Sequence, residues 1–160
     1  MTSKQTRVST AVIVIAVVGL VVAAGAFIVF SLFKPSTVLY LGDGVFKADI
    51  ADTQAAREKG LGGVETMADD RALILVFPSD GKWPIWMKGM KVSIDIVWLD
   101  SDKKVVYIVK NAPANGGEAA TYTPKSNARY VVEVPAGTVE KKNIVAGRAA
   151  VFDIESSGAQ

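Results

Sequence analysis

Residues 94–99 read Ile-Asp-Ile-Val-Trp-Leu, a stretch that is apolar at every position except Asp95. Side chains alternate between the two faces of a strand, so three apolar side chains share one face, and Asp95 shares the other with Val97 and Leu99. A strand that is apolar on both faces is covered on both sides, which predicts that it lies inside the fold. A buried carboxylate either ties down backbone amides of a neighbouring loop or serves in a site with a perturbed pKa, and the first role is the more common.

Strand-like alternation recurs along the chain, and turn residues separate the successive segments. Gly42-Asp43-Gly44 and Ser101-Asp102-Lys103 are typical of hairpin turns. The predicted strands are Val38–Leu41, Val45–Ile50, Ala72–Phe77, Ile85–Lys88, Ser93–Leu99, Val105–Lys110, Tyr130–Val134 and Ala149–Ile154. A short helix is predicted over Gln54–Lys59, with a helical turn near Thr138–Lys142. This pattern predicts an α+β domain built as a small antiparallel-rich β-barrel or sandwich with one or two short helices.

The longest apolar segment lies near the N-terminus. From Ala11 to Phe33 the sequence AVIVIAVVGLVVAAGAFIVFSLF has 23 residues without a charge. As a helix this segment would be roughly 34 Å long, enough to cross a hydrocarbon core of about 30 Å. We therefore predict a single transmembrane helix over 11–33 rather than a buried core helix, because a small domain rarely surrounds so many uncharged residues.

The residues on either side of this segment predict its orientation in the membrane and whether it is cleaved. Lys4 and Arg7 precede it and no acidic residue lies before position 34, which favours a signal anchor with a cytoplasmic N-terminus and an extracytoplasmic C-terminal domain. Cleavage after Ala26 is the less favoured alternative, because the apolar run continues to residue 33. The predicted organisation is a cytoplasmic tail (1–10), a signal anchor (11–33), a linker (34–36), a soluble β-rich domain (37–155) and a disordered tail (156–160).

Composition excludes several classes of function. The chain has no cysteine and no histidine, which excludes a disulfide framework, a thiolate nucleophile, a Ser-His-Asp triad and the usual zinc and haem ligands. Two of the 18 basic residues precede position 34, so residues 34–160 carry 16 basic and 16 acidic side chains. A neutral domain lacks the basic field that nucleic-acid binding needs. We therefore expect no nucleic-acid partner, no cofactor and no dedicated metal site.

Residues 83–91, Trp-Pro-Ile-Trp-Met-Lys-Gly-Met-Lys, are dense in large side chains. Alternation places Trp86 and Lys88 on one face, where an indole beside an ammonium group can bind an anionic or sugar-like ligand. The alternative, which spacing alone favours, is a core tryptophan with a lysine that extends to solvent at the rim. Spacing also assigns Arg57 and Glu133 to solvent-exposed positions.

The order of these segments resembles a known family. The likeness is carried by Ala-Arg-Glu-Lys-Gly-Leu (56–61), Leu-Val-Phe (75–77), Ile-Trp-Met-Lys (85–88), Ile-Asp-Ile-Val (94–97), Tyr-Val-Val-Glu-Val-Pro-Ala-Gly (130–137) and Gly147. Over about residues 45–153 the chain resembles the domain of unknown function 192 family, as a membrane-anchored member. The resemblance implies a small β-rich α+β domain, often behind a signal or an anchor, with no established activity.

The family pattern marks five residues together, which are Arg57, Trp86, Lys88, Asp95 and Glu133. Carried over to this chain, the resemblance implies one ligand-binding cluster of two cations, an aromatic side chain and two carboxylates. The chain departs from the pattern at three places. Gly-Gly (62–63) stands for the family's Met, Arg-Ala-Leu-Ile (71–74) for its small residue and Met, and Gly-Met (89–90) for its Asn-Thr.

Three hypotheses for the function follow. The leading one is a membrane-tethered extracytoplasmic domain that binds a small polar, anionic or glycan-like envelope ligand. The alternative is a structural or protein-interaction module of the cell envelope, in which the five residues form a buried polar network. The third is a hydrolase with Asp95 and Glu133 as an acid/base pair, and it is the weakest because no nucleophile motif accompanies them. We therefore assign no catalytic residue.

Overall fold

The computed structural model describes residues 17–18, 35–114 and 120–154. The chain divides into two units, residues 1–34 and 35–160, and the elements described below all lie in the second. The predicted tails at 1–10 and 156–160 fall outside the described residues, and so does the predicted anchor apart from two of its residues. Within the described part of the chain, no helix combines the length and the apolar character needed to span a bilayer.

The described residues form a mostly β domain with two short helices, so the predicted small α+β domain is confirmed. Its elements are β1 (Ser36–Leu41), β2 (Gly44–Ala51), α1 (Gln54–Lys59), β3 (Arg71–Gly81), β4 (Ile85–Trp86), β5 (Ile94–Leu99), β6 (Val105–Ala112), β7 (Thr121–Tyr122), β8 (Ala128–Pro135) and α2 (Thr138–Lys141). The prediction of a strand at 149–154 is wrong, because that segment makes only isolated bridges, from Ala149 to Lys104 and from Val151 to Tyr40.

Six of the strands form one sheet in the order β1-β2-β3-β8-β5-β6. β2 and β3 pair in parallel and are joined by a crossover that contains α1, whereas the other neighbours pair antiparallel. The predicted barrel is wrong, because β1 and β6 are the two edges of the sheet and do not pair with each other. Alternation along a strand is the same in a barrel and in an open sheet, so the sequence pattern could not separate the two.

The sheet carries an apolar layer on each face. One face, which we call the α2 face, is covered by Val139 of α2 and by Phe152. The opposite face, which we call the α1 face, is covered by Ala56 of α1 and by Met87 and Met90. β5 is buried at all six positions, as its two apolar faces predict. Because both faces are covered, a polar side chain on a central strand is buried whichever way it points.

Candidate functional site

A cavity of about 500 Å³ opens on the α1 face of the domain. Its walls come from α1, the second half of β3 and the segment from Trp83 to Met90, and a residue of β8 lies between them. The residues that line it include Arg57, Lys59, Leu61, Phe77, Trp83, Trp86, Lys88, Met90 and Glu133. Four of the five residues marked in the sequence therefore line one cavity, and Asp95 does not.

Arg57 is held in place by the backbone around it. Thr53 caps α1 by accepting a hydrogen bond from the amide of Ala56 at 3.2 Å, which sets where the helix begins. In the last turn of α1, the Nη1 group of Arg57 donates hydrogen bonds to the carbonyl of Asp52 and, at 2.8 Å, to that of Val76. The guanidinium also lies 5.4 Å from the centre of the Phe77 ring. The half-buried cation therefore has a fixed position at the cavity wall, which spacing had assigned to open solvent.

Glu133 lies deepest among the charged residues of the cavity. β8 runs between β3 and β5, so Glu133 sits between Leu73 on one side and Ile96 on the other. Only 4% of the residue is exposed, and its Oε2 atom has no hydrogen-bond partner among the described residues. Burial without a partner raises the pKa of Glu133 from its ordinary value of 4.5 to about 7. The prediction that Glu133 is solvent-exposed is wrong.

The end of α1 closes over this carboxyl group. Gly60 follows the helix with φ 48°, and a Cβ added at this position would lie 3.9 Å from the Oε2 atom of Glu133. The glycine therefore allows the backbone to turn sharply just above the carboxyl. A buried polar atom without a hydrogen bond costs roughly 1–3 kcal/mol, and such atoms are rare in folded proteins. Glu133 is also one of the residues that line the cavity.

Trp86 and Lys88 reach the same cavity from the opposite wall. Ile85 and Met87 are buried against the sheet, so the alternate residues Trp86 and Lys88 point away from it, as the alternation predicts. Half of Trp86 is exposed (50%), an unusual position for the largest apolar side chain. The alternative of a core tryptophan at this position is wrong. An exposed indole at a cavity mouth offers a flat face for stacking.

Aromatic and aliphatic side chains form the remaining walls. The rings of Phe77 and Trp83 stack at 4.6 Å between centroids and 9° between planes. The indole of Trp83 is oriented by a 3.0 Å hydrogen bond to the carbonyl of Ser79. Leu61 and Met90 complete the apolar lining. The cavity thus combines an apolar body with a few polar groups, which is the usual composition of a small-molecule site.

The cations of the cavity have no acidic partners. Within the described residues, none of the ion pairs within 4.0 Å involves Arg57, Lys59 or Lys88. Glu58, the other acidic residue of the lining, instead accepts a hydrogen bond from Gln54 at 2.8 Å. The lining holds three unpaired cations, the carboxylate of Glu58 and the carboxyl of Glu133, which is half protonated near neutral pH, so its net charge is positive. It is therefore suited to an anion.

Asp95 belongs to the opposite face of the sheet. It is fully buried, and its two oxygens accept hydrogen bonds from the backbone amides of Asn111 at 2.7 Å and Val139 at 2.8 Å. These bonds tie β6 and α2 to the centre of the sheet. Asp95 therefore does not belong to the predicted ligand-binding cluster, because both of its oxygens are used by the fold, which is the structural role that the strand pattern favours.

The hydrolase hypothesis fails on this geometry. Asp95 pairs with Val134 and Glu133 pairs with Ile96, so the two carboxylates point to opposite faces of the sheet. An acid/base pair must reach the same bond from within one cleft. Among the described residues, no group of three or more Asp, Glu, His or Cys side chains is arranged to hold a metal ion.

Several residues of the cavity were not predicted from the sequence. Lys59 follows Arg57 within α1 and adds a third cation. Phe77 and Trp83 form the stacked wall; Phe77 lies in β3, whose pairing with β8 shifts register between Val76 and Gly81, and Trp83 lies just after that strand. The signal that could have found Trp83 is its place in the aromatic-rich stretch that already contains Trp86. No local signal marks Phe77, which has the pattern of an ordinary strand residue.

The fold and the cavity define a class of protein: a small α+β domain with an open six-stranded sheet, a second sheet of β4 and β7, and a cation-lined, largely apolar site on the face that carries α1. The particular family is then given by sequence comparison. The profile of the DUF192 family, described as "Uncharacterized ACR", matches residues 38–152, and the chain belongs to this family.

Two relatives of the chain carry the name UPF0127 protein. The chain is 33% identical over 108 residues to a UPF0127 protein of Thermococcus gammatolerans, an alignment that spans 66% of each chain. It is 32% identical over 111 residues to a UPF0127 protein of Thermococcus sibiricus, which spans 68% of each chain.

Two crystal structures have the same fold. One is a Sinorhizobium meliloti 1021 protein named as a candidate transcription regulator (TM-score 0.67, 24% identity), and the match covers 75% of this chain and 94% of that one. The other is a protein of unknown function from Novosphingobium aromaticivorans (TM-score 0.67, 20% identity), with 74% and 84% covered. At these identities the likeness concerns the fold alone.

Proposed function

We propose that this domain binds a small organic anion in the cavity on its α1 face. The single observation that carries the proposal is the Oε2 atom of Glu133, which is buried at this cavity and has no hydrogen-bond partner among the described residues. Arg57 and Lys88 supply positive charge, Trp86 supplies a stacking surface, and Glu133 supplies the deepest polar contact. A cavity of about 500 Å³ suits a small molecule rather than a polymer segment.

The lining favours an anion that also has an apolar or flat face. The three cations attract the charged group, while the stacked Phe77 and Trp83 and the exposed indole of Trp86 favour contact with a ring. Aromatic carboxylates meet both requirements. An acidic sugar meets them as well, because the C–H face of a sugar ring stacks on an indole, so a glycan-like envelope ligand belongs to the same chemical class.

The location follows from the N-terminal segment. The domain is held at the outer face of a membrane by residues 11–33, with the short basic tail on the cytoplasmic side. This part of the proposal is supported by the 23-residue uncharged run and by Lys4 and Arg7 before it. An anchored binding domain would then meet its ligand outside the cytoplasm.

The alternative is a structural or protein-interaction module of the cell envelope. The observation that favours it is Asp95, because one of the five family-marked residues is used entirely for backbone hydrogen bonds. Under that alternative, the oxygens of Glu133 should also be used for hydrogen bonds within the fold. Its Oε2 atom instead has no hydrogen-bond partner among the described residues. The two proposals therefore differ in whether a small anion binds to the isolated chain.

Calorimetric titration of the full chain in a nonionic detergent tests the proposal. The probes form two matched pairs, benzoate with benzamide and glucuronate with glucose, so that each anion is compared with a neutral molecule of similar shape. We expect at least one anion to bind, roughly tenfold or more tighter than its neutral partner, with an affinity that falls as salt is added. Equal binding of anions and neutral partners, or no binding of either, contradicts the proposal.

Substitutions of Trp86 and Lys88 test whether the ligand binds in the cavity. Trp86→Ala removes the stacking surface and is expected to weaken binding roughly tenfold, whereas Tyr40→Ala is the matched control. Tyr40 is exposed to the same degree, 52% against 50%, but lies on β1 outside the cavity lining. Lys88→Gln is expected to reduce the salt dependence. If Tyr40→Ala weakens binding as much as Trp86→Ala, the ligand is not held in this cavity.

A further inference from the structure

Glu133 lines the cavity, and its buried Oε2 atom has no hydrogen-bond partner among the described residues. Its neighbours across the sheet are apolar, since Leu73 of β3 and Ile96 of β5 lie opposite it. The charged side chains that line the cavity with it are Arg57, Glu58 and Lys59 of α1 and Lys88 after β4. Of these, Glu58 already accepts a hydrogen bond within its own helix. A bound molecule is therefore the natural partner for the Oε2 atom.

The charge state of Glu133 decides which molecules can fill that role. An ionised carboxylate would repel an anion across a short, largely apolar cavity, where charges are poorly screened. A ligand ammonium group would suit the carboxylate, but it would meet the repulsion of Arg57, Lys59 and Lys88. A neutral carboxyl group avoids both conflicts, since its O–H donates a hydrogen bond to an oxygen of an anion.

We propose that the anion enters the cavity together with one proton, which Glu133 holds and donates as a hydrogen bond to an oxygen of the ligand. This inference rests on the proposed function and narrows its ligand class to organic oxyanions, with carboxylates as the simplest members. No covalent bond is formed or broken. The proton comes from water or buffer and remains on Glu133 while the ligand is bound.

Two features of the site support proton uptake near neutral pH. Burial already raises the pKa of Glu133 to about 7, so the neutral form is readily available. Entry of a ligand removes the remaining water from the carboxyl and adds an acceptor for its proton, and both effects favour the neutral form further. The cations keep their charge and hold the ligand's negative end.

Proton uptake is measured by titrating the full chain with benzoate at about pH 8 in two amine buffers, triethanolamine and Tris, whose ionisation enthalpies differ and whose ions do not compete for an anion site. The observed enthalpy is expected to differ between the buffers by an amount that corresponds to nearly one proton taken up per site. The affinity of the wild-type chain is expected to fall by up to about tenfold for each pH unit above 7.

Two variants assign the proton to Glu133. Glu133→Gln keeps an N–H donor at the same place but cannot titrate, so it is expected to bind benzoate with the same affinity at every pH and no buffer dependence. Glu140→Gln is the control, because Glu140 is exposed and paired with Lys110 at 3.1 Å outside the cavity. This variant is expected to take up the proton as the wild-type chain does.

The possible outcomes separate this inference from the proposed function. Binding of benzoate with proton uptake that disappears in Glu133→Gln supports both. Binding with no proton uptake, or with proton release, overturns the inference and leaves the anion site standing. Proton uptake that persists in Glu133→Gln also overturns it. If none of the anions binds, the proposed function fails and the inference fails with it.

Discussion

The buried carboxyl of Glu133 is expected to make the stability of the protein depend on pH in one direction. Below its ordinary pKa of 4.5, the group is protonated in both the folded and the unfolded chain. Between pH 4.5 and about 7 the unfolded chain loses this proton and the folded chain keeps it, so the free energy of unfolding falls as the pH rises. Above that range the group is ionised in both states and the loss is complete.

The magnitude follows from the two pKa values. Each pKa unit corresponds to about 1.36 kcal/mol. A shift of the Glu133 pKa from 4.5 to about 7 therefore lowers the free energy of unfolding by about 3 kcal/mol once the group is ionised in both states. Glu133→Gln removes the titration and therefore this part of the pH dependence. The free energy of unfolding of the variant, relative to the wild-type chain, is expected to rise by about 3 kcal/mol between pH 4.5 and pH 8.

Urea unfolding of the full chain, followed by tryptophan fluorescence at a series of pH values, measures this difference. Other titrating groups cancel because they are common to both chains. Glu140→Gln is the control, since this exposed and ion-paired residue is expected to leave the profile parallel to that of the wild-type chain. If the Glu133→Gln and wild-type profiles run parallel from pH 4.5 to pH 8, Glu133 is not an unpaired buried carboxyl and the reasoning about the site is refuted.

Three further predictions concern the fold and the anchor. Asp95→Asn turns an amide N–H₂ towards a buried backbone N–H, so it is expected to lower the free energy of unfolding by about 2–4 kcal/mol without changing the affinity for benzoate. The control Asp100→Asn lies in a more exposed turn and is expected to lower it by less than about 1 kcal/mol. Equal losses in urea unfolding contradict this prediction. Gly42→Ala is expected to lower the free energy of unfolding by at least about 3 kcal/mol, because a Cβ at this position collides with a backbone carbonyl oxygen. Gly63→Ala is also at positive φ but lies in open space, so it is expected to lower the free energy of unfolding by about 1 kcal/mol. A larger loss at Gly63 than at Gly42 contradicts this prediction. Ser101→Cys gives this cysteine-free chain a single exposed thiol, which a membrane-impermeant maleimide is expected to label in intact cells; labelling only after permeabilisation contradicts the proposed orientation.

Local patterns predicted the strands other than β7 and favoured the structural role of Asp95, although the strand that they predicted at 149–154 is not formed. The hairpin turns at 42–44 and 101–103 join antiparallel neighbours, as their residues indicate. The apolar character of both faces of 94–99 predicted full burial, and the strand is buried throughout. A carboxylate on such a strand must be satisfied, and the structural role favoured by this reasoning is the one observed.

The environment of Glu133 could not be predicted from its own strand. Arg129, Val131 and Glu133 share one face of β8, and two charges on one face indicate solvent. In the sheet, however, β8 is a central strand with α1 packed over that face, so Val131 is fully buried and Glu133 nearly so. The position of α1 depends on the parallel crossover between β2 and β3, a nonlocal feature that alternation does not record. Only the family resemblance placed Glu133 in the site.

The same limit applies to the shape of the sheet and to the aromatic wall. Whether the edge strands β1 and β6 pair with each other depends on the twist of the sheet and on the strand order. The alternation of apolar side chains along a single strand predicts neither property. The contact between Phe77 and Trp83 joins the second half of β3 to the segment that follows this strand. Sequence patterns could therefore identify the participants of the cavity only in part, and its geometry not at all.

The central claim is that one cavity holds a small organic anion against Trp86. The most direct measurement is a two-dimensional NMR spectrum of the indole N–H groups of the full chain as benzoate is added, because the chain has three tryptophans and only two line the cavity. We expect the Trp86 signal to move the most, with Trp83 following along the same saturation curve, and the fully buried Trp98 to move the least. If benzoate binds while the Trp86 signal stays in place, or if all three signals are unchanged at saturating benzoate, the claim is contradicted.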